Sequence, residues 1–322
     1  MRAAVFHRYG GPSELAIESL PTPVAGPGQV LLRVRAAVVT SADTAGRAGT
    51  PRAIRLFIGL AAPKQRILGT EFAADVEAIG EGVTRFAVGD AVVGATGASF
   101  GAHAEHLVLP ETAAMVRKPS NLDHGDAIAV IEGAMTALPF LRDEGRVRAG
   151  QRVLVNGASG AVGTAAVQLA KHLGAHVTAV TSSGNLALVR ELGADKVIDY
   201  TTTDFTDAKA AYDLIFDTVG KSSFTRCRRA LVRGGVYLTT VPGLPILLQT
   251  LVTRVSTRRA AIAFTGLRST SLKLADLAYL VDLAERGVIR PVVHERFALE
   301  QIADAHRLVD TGHKRGAAVL TL

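Results

Sequence analysis

Residues 153–163 read VLVNGASGAVG, and three glycines recur there at intervals of three: Gly157, Gly160 and Gly163. Glycine at that spacing lets the backbone turn sharply, aim N–H groups outward and admit an anion where a side chain would otherwise stand. The chemistry this suits is phosphate binding. Elsewhere the chemical inventory is thin. The single cysteine, Cys227, excludes an internal disulfide and any multi-cysteine zinc site, and reads as a core filler. The nine histidines are scattered without ligand spacing.

A phosphate turn needs a strand before it and a helix after it. VLVN lies in a strand expected at 152–156, TAAVQLAKHLGA forms an amphipathic helix expected at 161–173 with a Gly cap, and HVTAVT is a second strand at 176–181. The alternation extends on both sides. A helix is expected at 123–144, another at 185–192, a strand at 196–198, then the strand LIFDTV, a helix from Phe224 to Leu231 and the strand VYLTTV. This rhythm predicts a parallel sheet with helices on both faces. Before about residue 118 the pattern is different: VLLRVRAAVV, AADVEAIGEG, GDAVVGA and AEHLVL are short β-rich runs between Gly, Pro and Asp turns. From about 288 the chain returns to a strand (PVVHERFAL), a helix (EQIADAHRLVDTG) and a last strand (AAVLTL), expected to fold back onto the first domain. The fold class is α/β, with a β-rich domain at 1–122, a doubly wound parallel sheet at 123–266 and a returning segment at 267–322. There is no internal repeat.

With strand, turn, helix and second strand in place, the glycine turn opens a βαβ unit and points to a dinucleotide rather than to a bare tight loop. Asn156, Gly157, Ser159, Gly160, Ala161, Val162 and Gly163 form its cradle. A side chain at Gly160 would block a pyrophosphate, and one at Gly163 would hold the helix off the strand. The end of the second strand selects the dinucleotide. NAD-binding folds usually carry an acid there, yet Thr181, Ser182, Ser183 and Asn185 are hydroxyls and an amide, and no Asp or Glu occurs between Gly160 and Arg190. Those groups can donate to a 2′-phosphate that an acid would repel, so NADP(H) is favoured over NAD(H). No lysine or arginine sits in that stretch, and a basic partner would have to reach in from elsewhere. Val219 and Gly220 follow LIFDTV at the carboxyl edge of the sheet, where ligands bind in open α/β folds.

Hydrophobic residues make up 48% of the 322, but charges interrupt every apolar run before the ~18 residues of a membrane span. The N-terminal stretch lacks an apolar core long enough for an export signal, so a cytoplasmic location is expected. The net charge of +7 is compatible with a polyanionic partner. Without tryptophan or a basic run interleaved with aromatics, nucleic acid is disfavoured, and a phosphate-rich cofactor accounts for part of the charge. Two acid-free segments, 51–68 and 242–262, mix apolar residues with Arg and Lys. They read either as an ordinary core-facing loop and helix or as the apolar mouth of a substrate site, which is favoured over a membrane contact.

The chain resembles the medium-chain dehydrogenase/reductase superfamily, and within it the zinc-free, zeta-crystallin-like quinone oxidoreductase branch. The matching stretches are ILGTEFAADVEAIGEGVTRFAVGDAVVG, the glycine unit, ELGADKVIDY, DLIFDTVG and LVRGGVYLTT. The resemblance implies a GroES-like catalytic domain around a Rossmann domain, with the nicotinamide in the cleft between them. It also implies hydride transfer from NADPH to a small apolar quinone, enone or related conjugated carbonyl. Thr40, Asp43 and Thr136 then lie near the nicotinamide, and Tyr200 and Val241 join the cofactor set. Asp43 has a second reading as a buried turn former, and Thr136 as a helix threonine bonded back to its own backbone. Zinc-dependent relatives carry a cysteine at Thr40 and a histidine at Thr70. Two threonines cannot replace them, so no metal is expected. Relatives pair the edge of the parallel sheet across a two-fold axis, so the strand expected at AIAFTG (261–266) implies a homodimer. Two other functions stay open: an enoyl reductase tailoring a polyketide-like metabolite, and a non-catalytic NADPH-binding protein of the crystallin or RNA-associated type.

Overall fold

Short runs of alternating or clustered apolar residues become strands wherever a face can be buried. In chain order these are β1 (Arg2–Val5), β2 (Ala16–Ser19), β3 (Gln29–Val38), β4 (Glu71–Ile79), β5 (Ala91–Ala95), β6 (His106–Pro110) and β7 (Ala114–Arg117), with helices α1 (Ser41–Ala48) and α2 (Arg55–Ile58) between β3 and β4. The computed structural model describes the chain from Met1 to Leu322, the side chains of Ala53, Phe57 and Ala98 excepted. Helix α3 (His124–Pro139) leads into β8 (Arg152–Asn156), α4 (Ala161–His172), β9 (His176–Thr181), α5 (Leu186–Glu191), β10 (Lys196–Asp199), β11 (Tyr212–Asp217), α6 (Phe224–Cys227), β12 (Leu231–Thr239), α7 (Leu244–Val252) and β13 (Arg259–Ala261). The chain ends with α8 (Thr270–Glu285), β14 (Val293–Ala298), α9 (Ile302–Asp310) and β15 (Ala317–Thr321).

Two units result, Met1–Glu132 with Arg268–Leu322, and Gly133–Leu267. In the first, a seven-stranded sheet runs β14-β15-β3-β4-β5-β7, with β6 also paired to β3. The C-terminal strand β15 enters it antiparallel to β3, Val319 opposite Val38. Val30, Leu32, Val34, Phe72, Met115, Phe297 and Leu320 fill its core.

The second unit is a six-stranded sheet of order β10-β9-β8-β11-β12-β13, parallel throughout. Strands β8 and β9 are buried at every position after the first, as strands covered on both faces must be. Helix α4 is rich in alanine, which lets it lie close, and it ends on Gly174 at φ +81°, where a left-handed residue closes the last turn. This is the GroES-like and Rossmann-type α/β architecture expected from the strand and helix rhythm.

Three elements depart from the sequence reading. The helix expected from Phe224 to Leu231 stops at Cys227, because Leu231 is fully buried opposite Tyr212 as the first residue of β12. The last strand of the sheet covers Arg259–Ala261 rather than 261–266, and Thr265–Leu267 is a single tight helical turn. Helix α8 was not anticipated: Leu277, Leu280 and Leu283 are buried while Leu272 is exposed, so its apolar residues mark no single stripe.

Candidate active site

The glycine turn sits at the carboxyl end of β8. Gly157 has φ +80°, and an added Cβ would lie 2.2 Å from the Val219 side chain. At Gly163 a Cβ would lie 2.1 Å from the Gly157 carbonyl oxygen and 2.7 Å from Ala158 Cα, so α4 touches the turn through bare backbone. Gly160 differs from both. It caps α4 with ordinary extended dihedrals (φ −76°, ψ 173°), and a Cβ there would meet only the Gly157 oxygen at 3.7 Å. Packing and backbone geometry therefore demand glycine at 157 and 163 but leave open space at 160. The N–H groups of Ala161, Val162 and Gly163 form the first turn of α4, where no preceding turn supplies acceptors. Together these features fit an anion at the helix N-terminus.

The end of β9 is a hydroxyl-rich knot. Thr181 Oγ1 donates to Ser159 Oγ at 2.9 Å, while Asn185 Nδ2 donates to Ser159 Oγ at 3.3 Å and Ser182 Oγ at 3.1 Å. The ladder between β9 and β10 sets Asp199 opposite Thr181, and Ser183 Oγ donates to Asp199 Oδ2 at 2.6 Å. Hydrogen bonds from Ser183 and then Thr201 hold the Asp199 carboxyl below the usual carboxylate range. An acid missing from the linear stretch is thus supplied by the neighbouring strand. Tyr200, which follows it, is half exposed, and its N–H donates to the Thr181 carbonyl.

Asp217, at the end of β11, is fully buried and organises the adjoining loop. Its Oδ1 accepts from Asn156 Nδ2 at 3.0 Å and from the N–H groups of Val219 and Gly220 at 3.1 and 3.0 Å. Its Oδ2 accepts from Ser222 N at 3.0 Å and from the buried Tyr237 hydroxyl at 2.9 Å. Gly220, at φ +70°, packs against Val241, where a Cβ would come within 2.6 Å. Gly157, Val219, Gly220 and Val241 therefore converge at the carboxyl ends of β8, β11 and β12. Thr136 belongs to the same unit: Gly133, one helical turn before it on α3, lies so close to Ala161 that a Cβ would sit 2.0 Å from its carbonyl oxygen. The sequence reading missed Asp217. Its signal was the Asp of DLIFDTVG, five donors' worth of acceptor at a strand end. Cys227 is fully buried, with its thiol pushed up to about 11 chiefly by burial, as a filler residue would be.

Thr40 and Asp43 stand together in the first unit. Thr40 caps α1, its N–H and hydroxyl donating to Asp43 Oδ2 at 2.8 and 2.7 Å. Asp43, fully buried, also accepts from Gly69 N at 2.9 Å through Oδ1. That bond ties α1 to the residue before Thr70, whose hydroxyl donates to Glu71 Oε2 at 2.6 Å. Burial first, then the nearby carboxylates of Asp43 and Glu132, push the Glu71 carboxyl up to about 8. Glu132 is itself raised by burial, and accepts from Lys314 Nζ at 2.9 Å. Glu71, Glu132 and the two lysines near them, Lys273 and Lys314, were not singled out in the sequence, because nothing in their spacing joins them.

At the two positions where a catalytic zinc would need cysteine and histidine, Thr40 and Thr70 spend their hydroxyls on Asp43 and Glu71. That donor set does not fit zinc. Among the described residues no group of three or more His, Cys, Asp or Glu is arranged around a metal position, and no helix is long and apolar enough to cross a membrane. Of the two acid-free segments, the first turns Ile58 and Leu68 into a core with Phe6 and stacks Arg55 on Tyr9 at 4.5 Å. The second forms α7, which buries Ile246 but exposes Leu244, Leu248, Leu251 and Val252.

Comparison with known proteins agrees with this architecture. Residues 26–120 match the alcohol dehydrogenase GroES-like domain family, and residues 192–320 match the zinc-binding dehydrogenase family. A quinone oxidoreductase of Pseudomonas aeruginosa is 33% identical over 98% of this chain and 98% of its own length. A chloroplastic NADPH-dependent alkenal/one oxidoreductase of Arabidopsis thaliana is 30% identical over 99% of this chain and 79% of its own. The crystal structure of a quinone oxidoreductase from Coxiella burnetii superposes with a TM-score of 0.89 at 27% identity, covering 100% of this chain and 99% of the other. The chain belongs to the medium-chain dehydrogenase/reductase superfamily, among its quinone oxidoreductases.

Proposed function

We propose that this protein is an NADPH-dependent oxidoreductase that reduces a quinone, an enone or a related conjugated carbonyl without zinc. The observation that carries the reading is the contrast at the glycine turn: Gly163 is closed by backbone at 2.1 Å, while Gly160 is glycine over open space. A side chain excluded where the protein itself leaves room implies a ligand, and its place at a helix N-terminus implies an anionic one. The names of relatives such as the quinone oxidoreductase and the alkenal/one oxidoreductase support the acceptor class.

In this reading Ala161, Val162 and Gly163 give their N–H groups to the pyrophosphate, and Thr181, Ser182, Ser183 and Asn185 serve the adenosine ribose. Asp217 holds the Val219–Gly220 loop at the sheet edge. The nicotinamide supplies the hydride. Thr40, Asp43 and Thr136 serve the reacting end, Asp43 by fixing the Thr40 hydroxyl. Zinc-free reduction then needs only a hydride held near an electron-poor carbon and hydrogen bonds to the developing oxyanion. The exposed leucines of α7 suit an apolar acceptor. We assign NADPH over NADH from the acid-free end of β9, with Asp199 working against that preference, and a homodimer through the exposed edge strand β13. Steady-state NADPH oxidation with a panel of small quinones and enones tests the function. Turnover of at least one class is expected, and cofactor binding without turnover of any would refute it.

A further inference from the structure

Three carboxyl groups from different elements share one region of the first unit: Asp43 on α1, Glu71 at the start of β4 and Glu132 on α3. Their partners are unequal. Asp43 accepts three hydrogen bonds, from Thr40 N, Thr40 Oγ1 and Gly69 N. Glu132 holds the Lys314 ammonium at 2.9 Å, both side chains nearly buried. Glu71 has the Thr70 hydroxyl at 2.6 Å and feels the Lys273 ammonium of α8, whose own pKa burial lowers. A cluster with three acids and two lysines sheds its surplus negative charge at the member least well compensated. That member is Glu71, and the cost of crowding the three acids is not offset by any structural gain visible around it.

A neutral Glu71 changes what Thr70 can do. A carboxylate only accepts from the Thr70 hydroxyl. A carboxylic acid can donate its own proton to Thr70 Oγ1 across the same 2.6 Å contact, which frees the Thr70 O–H to point at another acceptor. We propose that Thr70 and Glu71 form the proton relay of the reductase: Thr70 protonates the reduced substrate and Glu71 replaces the proton.

The proposal rests on the reductase reading above. Hydride addition to the β-carbon of an enone, or to a quinone, leaves one negative charge on the organic product. The Thr70 O–H bond breaks as its proton goes to that anion, the Glu71 Oε2–H bond breaks as its proton goes to Thr70 Oγ1, and Glu71 is left as a carboxylate. Substrate gains one hydride and one proton. Solvent restores the Glu71 proton through its partly exposed side chain, and Lys273 steadies the carboxylate in the interval. Thr70 is the catalytic residue, and Glu71 is a positioning residue that acts through it.

The test compares the wild type with Glu71→Gln, Thr70→Val and Thr70→Ser, using NADPH and an enone that the wild type reduces. Wild-type kcat should fall as pH rises through about 8, because the acid form is then lost. Glu71→Gln should lower kcat by about 100-fold and flatten that limb, with KM for NADPH unchanged. Thr70→Val should behave likewise, and Thr70→Ser should keep the wild-type profile. Isotope-edited infrared spectra of the resting protein, with Glu71→Gln as the blank, should show a protonated Glu71 at neutral pH. A Glu71→Gln enzyme with the wild-type pH profile, or an ionised Glu71 at neutral pH, overturns the relay alone. A wild type that reduces none of the panel overturns the reductase reading and the relay with it.

Discussion

Replacing Gly160 and Gly163 in turn separates a glycine kept for a ligand from one kept for the fold. At Gly160 the dihedrals of −76° and 173° are comfortable for valine, and the first atom a Cβ meets is 3.7 Å away. The cost of Gly160→Val is therefore the weaker helix cap, about 1 kcal/mol, or a fall of a few degrees in Tm for a chain of this size. At Gly163 a Cβ would have to displace two backbone atoms at 2.1 and 2.7 Å. Backbone cannot yield as a side-chain tip can, so even Gly163→Ala should cost roughly 3 kcal/mol or more. Cofactor affinity should invert this order of damage. Gly160→Val fills the space assigned to the pyrophosphate and should weaken NADPH by at least about 100-fold, equivalent to ~2.7 kcal/mol. The assay is calorimetric melting of each protein with and without NADPH, together with fluorescence titration of the cofactor. Wild type should gain stability from saturating NADPH, and Gly160→Val should melt nearly as the wild type does alone yet gain nothing from it. If Gly160→Val melts as poorly as Gly163→Ala, or binds NADPH normally, the phosphate cradle is wrong.

Four further outcomes are expected. His306 is fully buried with no hydrogen-bond partner on either ring nitrogen among the described residues, and burial, then the charges of His103 and Arg47, push it down to about 2. Its neutral form thus stabilises the fold above an unfolded value near 6.5, and that stability is lost as pH falls, by up to ~1.4 kcal/mol per pH unit. Glu71, raised to about 8, has the opposite sign: its contribution is complete below its unfolded value and is lost as pH rises through about 8. The two oppose each other in mild acid, so urea denaturation of wild type and His306→Leu should give different slopes against pH, and parallel curves would refute the assignment. NADPH should bind about tenfold more tightly than NADH, and Asp199→Asn should widen that ratio by removing the carboxylate beside Ser183; equal dissociation constants in the wild type would count against the reading of β9. Purified protein should contain no stoichiometric zinc and should keep its activity in chelator, because Thr40 and Thr70 offer no suitable ligands; one zinc per chain by metal analysis would reverse this. Light scattering should report a dimer at micromolar concentration, and a monomer would exclude pairing through β13.

What the sequence alone determined is what local chemistry determines. The turn at Gly157–Gly163 was legible because strand, glycines and helix are contiguous, and each glycine's role follows from the backbone beside it. The alternation of strand and helix was legible for the same reason, as were the parallel sheet and the β-rich first unit. The Thr40–Asp43 pair spans one helical turn, and the capping geometry follows from that spacing. Where burial in the sheet competed with helical pattern, as at Leu231, the tertiary structure decided, because a ladder partner such as Tyr212 outweighs local propensity. The same is true of the polar sites. Asp199 reaches Ser183 only because β10 pairs with β9, and Asp217 meets Asn156 and Tyr237 only because β11 lies between β8 and β12. Asp43, Glu71 and Glu132 come from α1, β4 and α3, and none carries a sign of the others in its neighbourhood in the chain. Their protonation depends on shared burial and mutual repulsion, quantities that exist only once distant segments have been packed together.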